Sequence, residues 1–67
     1  MTAAQFEHLT PGEAEELLRF RLRRLLDAGA DPTGALLLAV QVEIGLEPAI
    51  ELLKQGCSAE VALRILL

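Results

Sequence analysis

The chain has 67 residues, enough for one domain, and a core that small is marginal because a short chain buries a limited share of its surface. A single cysteine, Cys57, excludes an internal disulfide, and a single histidine, His8, leaves no His and Cys cluster for a structural metal, so neither of the common staples of small domains is on hand. The formal net charge of −4 gives no overall attraction for polyphosphate, and 52% hydrophobic residues with 3% aromatics leave aliphatic helix packing, self-association or a partner protein as the means of stabilisation.

Residues 1–9 carry no strong helical stripe and are expected as a flexible N-terminal segment or a short extra turn. They also lack the basic and apolar regions of a secretory leader. No apolar run approaches the roughly 18 residues of a membrane-spanning helix. A cytoplasmic protein without membrane contact is the expectation.

Residues 10–67 read as one helical bundle domain. Thr10-Pro11-Gly12-Glu13 has the Thr-x-x-Glu pattern of a capping box, with Leu9 placed for a hydrophobic staple. It opens a first helix over 11–28 with Ala14, Leu18, Leu22 and Leu25 on one stripe, widened by Leu17 and Phe20. Gly29-Ala30-Asp31-Pro32 then ends one helix and starts the next: glycine accepts the left-handed conformation past a helix end, aspartate caps, and proline fits the first helical position. The second helix, over 32–44, is apolar almost all round, which predicts an element that is central or covered by something else. The central, buried position is the leading expectation, although a bundle this small cannot easily cover every face of it.

Gly45-Leu46-Glu47-Pro48 repeats the junction with glutamate, a poorer cap, before a third helix over 48–55. Gly29 and Gly45 are both expected at positive φ. Gly56-Cys57-Ser58-Ala59 leads into a fourth helix from 59 to the chain's last leucine, Leu67. Cys57 stands in the apolar slot held by Ala30 and Leu46, which favours a packed structural cysteine over a reactive thiol.

Arg19, Arg21, Arg23 and Arg24 surround Phe20 and raise the possibility of phosphate contact. At 100° per residue they scatter around the helix, and Glu15 and Asp27 stand four residues from Arg19 and Arg23, so a solvated, self-paired surface is the stronger reading. Residues 49–67 have the spacing of a helix-turn-helix, but the candidate reading helix offers Glu60 and Arg64 alone among charged groups. His8 has no nucleophile or acid pattern beyond Glu7. Glu13, Glu15 and Glu16 suit the positive end of the first helix. No acid–base pair or nucleophile with its base can be assembled, so no enzyme, metal, cofactor or small-molecule ligand is expected.

From Leu25 onward the order of features resembles the ubiquitin-associated (UBA-like) family. Leu25-Leu26-Asp27-Ala28-Gly29-Ala30 falls on that family's first loop, residues 35–42 on its Ala-Leu-rich second helix, and Glu47-Pro48-Ala49-Ile50-Glu51-Leu52-Leu53 on its third. The resemblance covers about half the chain and implies a three-helix bundle to which the fourth helix is an addition. Ala28 and Ala30 stand where ubiquitin-binding members carry Met and an aromatic, so the resemblance does not extend to ubiquitin recognition.

The reading is therefore an all-α bundle of four short helices, the first three UBA-like. Its function is a non-enzymatic protein-protein interaction or self-assembly module, with a homodimer as the leading form and no nucleic acid expected. Leu17, Phe20, Leu63 and Leu67 are the candidate interaction surface. The alternative is a small helix-turn-helix-like DNA-binding regulatory protein.

Overall fold

Hydroxyl and carboxylate caps set the helix starts. A computed structural model describes residues 1–67 and contains no strand. Its helices are α1 (Ala3–Glu7), α2 (Pro11–Asp27), α3 (Pro32–Val40), α4 (Leu46–Lys54) and α5 (Ala59–Leu66). The Thr10 hydroxyl accepts from the Glu13 N–H at 3.1 Å, and the Glu13 carboxylate accepts from the Thr10 N–H at 2.9 Å, which completes the capping box. Asp31 and Ser58 accept from the Gly34 and Val61 N–H groups at 3.3 and 3.2 Å. No side chain caps α4.

There are five helices rather than four. The additional one, α1, lies in the segment expected to be flexible or a short extra turn, where Thr2 and Gln5 form a second capping box.

Two helix ends obey the glycine rule. After α2, the Gly29 N–H donates to the Leu26 carbonyl and the Ala30 N–H to the Leu25 carbonyl; after α4, Gly56 donates to Leu53 and Cys57 to Leu52. Both are Schellman ends with glycine in the left-handed region, φ +105° at Gly29 and +96° at Gly56. Cys57 thus holds the same position as Ala30. Gly45 departs from expectation. Its φ is −63°, and it is the residue before α4 rather than the residue after α3.

The reason is that α3 stops at Val40, four residues short of the expected end. The chain then turns through Gln41 to Ile44, with Val42 and Ile44 buried. No glycine or proline ends α3; the cause is a side chain from α2, described below.

α3 supplies Gly34, Ala35, Leu38 and Ala39 to the core and is buried along that one face. Leu25 and Leu38 are the large side chains wholly enclosed, each worth about 1.5–3 kcal/mol of transfer free energy. Five of the ten core residues are alanines. The core is therefore built by close approach of backbones rather than by bulk. Both α2 and α5 pack on α3 and α4. The tightest point is Gly34 of α3 against Ala59 of α5, where a Cβ on Gly34 would stand 2.5 Å from the Ala59 Cβ. No helix is long and apolar enough to cross a membrane.

Candidate interaction surface

The small residues of α3, Gly34, Ala35 and Ala39, lie on its buried side with Leu38. Its large residues therefore point the other way. Leu36 and Val40 are one helical turn apart with Leu37 beside them, and the three are 54%, 48% and 51% exposed. α3 contains no charged side chain from Pro32 to Val40. The result is an uncharged aliphatic face turned to solvent.

This face runs into a groove of about 300 Å³ between the first turns of α3 and α5. Leu37 and Leu63 line it, the close-packed Gly34 and Ala59 belong to its walls, and Asp31 and Glu60 are its charged residues. No cation lines it.

The arginines are engaged elsewhere. Arg19 and Arg23 pair with Glu15 and Asp27 at 2.7 and 3.5 Å, and Arg64 with Glu60 at 2.9 Å, all one helical turn apart. Arg24 reaches from α2 to Glu47 of α4 at 2.9 Å and lies 5.8 Å from the centre of the Phe20 ring. Arg21 is the exception to a solvated arginine surface: it is buried. Its Nε donates to the Ala39 carbonyl at 3.0 Å, and its Nη2 is shared among the carbonyls of Leu38, Gln41 and Ile44 at 3.3, 3.0 and 3.0 Å. Burial pulls its pKa below the ordinary arginine value.

Arg21 explains where α3 ends. In a continuing helix the Leu38 and Ala39 carbonyls would accept from the N–H groups four residues on. The guanidinium takes the Ala39 carbonyl, shares the Leu38 carbonyl with the Gln41 N–H, and binds two more carbonyls from the turn that follows. Its positive charge also suits the negative end of the helix dipole.

The four residues singled out in the sequence lie on α2 and at the end of the chain. Leu17 is half-buried and Phe20 exposed on α2; Leu63 is half-buried on α5, and Leu67 is exposed just beyond it. The main packing partners of α2 and α5 are α3 and α4. Leu63 alone of the four lines the groove. Sequence reasoning missed Leu36, Leu37 and Val40 because it weighed α3 as uniformly apolar. The usable signal was the row of small residues, which marks the side where helices close on one another.

His8 is exposed at the end of α1. No three His, Cys, Asp or Glu side chains are gathered in a metal-binding group. Comparison of the chain with protein-family models, curated proteins and solved structures finds no match.

Proposed function

We propose that the chain is a non-enzymatic protein-interaction or self-assembly module. It docks through the open face of α3 and the groove this face shares with α5. The observation that carries the reading is the uncharged aliphatic row Leu36, Leu37 and Val40, exposed on a helix whose opposite face forms the core. Large side chains left in water next to a concave, leucine-lined surface are the mark of a protein contact rather than of a reaction centre. Leu63 extends the surface on α5; Leu17, Phe20 and Leu67 lie outside its centre. The proposed setting is the cytoplasm, away from membranes. In this reading α2 to α4 form a UBA-like bundle whose docking surface is not the first loop, where Ala28 and Ala30 are too small to present it.

The helix-turn-helix alternative has less support. Arg64 on α5 is tied to Glu60, and the arginines of α2 are paired or buried.

The test compares the wild-type chain with Leu37→Asn/Val40→Asn, matched for helical circular dichroism. Sedimentation equilibrium reports self-association, and affinity capture from cells of the source organism reports partners. The wild type is expected to self-associate or retain a partner, and the double variant to do neither. A monomeric wild type that retains nothing the variant does not also retain would end this reading.

A further inference from the structure

The docking surface has a charge sign. Asp31 and Glu60 are the charged residues lining the groove, and α3 itself is uncharged. Every arginine already has a carboxylate or carbonyl partner, and Lys54 sits in the last turn of α4. Glu60 is partly neutralised by Arg64, while Asp31 spends one oxygen on its cap. What remains is an aliphatic centre with acidic margins.

The surface is also short. A stable interface takes roughly 20–30 residues a side. Here the exposed face of α3 and the groove together comprise ten residues, the eight that line the groove with Leu36 and Val40. A second copy would also add another net charge of −4. Short extent, an aliphatic centre and an acidic margin fit one docked helix better than a second globule.

We infer that the face of α3 and its groove with α5 receive a short basic amphipathic helix, with bulky apolar residues at i and i+3 or i+4 flanked by Lys or Arg. This rests on the open face of α3 being the docking surface. The apolar side chains of the incoming helix cover Leu36, Leu37 and Val40 and one enters the groove beside Leu63. Its flanking cations approach Asp31 and Glu60.

The test titrates the isotopically labelled chain with two synthetic helical peptides. They share one Leu/Ala stripe and differ in Lys or Glu at the flanking positions. The Lys peptide is expected to bind on the order of tenfold more tightly at low salt, with the difference shrinking as salt rises. Shifts should centre on residues 31–40 and 58–63. Asp31→Asn keeps the cap, since Asn caps as well as Asp, and with Glu60→Gln it should weaken the Lys peptide severalfold while leaving the melting temperature unchanged. Leu37→Asn should abolish binding. Equal binding of both peptides, indifference to the two neutralising substitutions, or shifts centred elsewhere would overturn the inference. Failure of both peptides would overturn it too, and sedimentation then separates the two claims. A dimer lost in Leu37→Asn keeps the docking surface and assigns it to a second copy, whereas a monomer removes both.

Discussion

The Arg21 guanidinium closes the carboxyl end of the helix that carries Ala39, with Nε 3.0 Å from the Ala39 carbonyl oxygen. The two residues are 18 apart in sequence, and the bond joins the middle of α2 to the last turn of α3. A buried cation has a desolvation cost, here offset by four carbonyl oxygens, of which those of Ala39 and Ile44 have the guanidinium as their donor while those of Leu38 and Gln41 also accept the Gln41 and Ile44 N–H groups. Structure and charge are thus mutually dependent at this point.

Arg21→Met is expected to lower unfolding free energy by about 2–4 kcal/mol, because it strands the Ala39 and Ile44 carbonyls and removes a charge-assisted set of bonds. Arg21→Lys should recover part of the loss but not all: an ammonium is a point charge and cannot span four carbonyls from one position. Urea unfolding measures both. A loss below about 0.5 kcal/mol for Arg21→Met would show that water closes the end of α3 as well as the guanidinium does.

The capping box at Thr10 and Glu13 gives α2 an acid limit. The Glu13 pKa lies below its ordinary 4.5, first because the Thr10 backbone N–H donates to its carboxylate and then because of the Thr10 side chain. A carboxylate whose folded pKa is depressed contributes stability above its unfolded pKa, and that contribution is lost as pH falls through the folded value. The loss therefore begins below about pH 4.5 and is complete below the folded pKa. Carbon-detected titration of Glu13 should give a midpoint under the ordinary value, and Thr10→Pro, which removes the N–H donor and the hydroxyl, should raise it. A midpoint unmoved by that substitution would remove the box from the account.

Glycines separate by the job each does. Gly29→Ala and Gly56→Ala should each cost about 1–2 kcal/mol, since both hold left-handed backbone. Gly34→Ala should also destabilise, for another reason: the added methyl meets Ala59 Cβ at 2.5 Å and Asp31 Oδ1 at 2.6 Å. Overpacking of this kind costs about 1–3 kcal/mol and outweighs the roughly 1 kcal/mol gained in helix propensity. Gly12→Ala meets nothing within 4 Å and should be neutral or stabilising. Thermal melts of the four variants check the order; a Gly34→Ala protein as stable as Gly12→Ala would mean that α5 shifts freely on α3.

The features legible in the sequence are those whose cause is local. Thr10, Asp31 and Ser58 cap because their partners are three residues away, and Gly29 ends α2 within its own turn. Thr2 and Gln5 belong to the same legible class, although no apolar stripe follows them. Arg21 was not legible. Its acceptors lie 17 to 23 residues on, and nothing near it in sequence marks it apart from Arg19 or Arg23, which do take their local partners. The end of α3 followed from Arg21 and was lost with it, and so was the role of Gly45. On the candidate surface, Leu63 was found and Leu36, Leu37 and Val40 were not, because composition alone cannot orient a helix that is apolar on every side.

Neighbouring leucines of α3 provide the sharpest contrast. Leu38 is 1% exposed and sits in the core; Leu37, one residue before it, is half exposed on the docking face. Leu38→Asp buries an unpaired carboxylate and is expected to unfold the chain, since the penalty is comparable to the whole stability of a domain this small. Leu37→Asn and Leu36→Asn lose at most half of a leucine's burial and some helix propensity, and should lower unfolding free energy by roughly 1–2 kcal/mol without unfolding the chain. Their main effect should fall on association. The measurement is circular dichroism with thermal melting for all three variants, followed by sedimentation and peptide titration for those that fold. If Leu37→Asn unfolds the chain as Leu38→Asp does, Leu37 belongs to the core and the open face of α3 does not exist. If Leu38→Asp stays folded, the core is not where Leu25 and Leu38 place it.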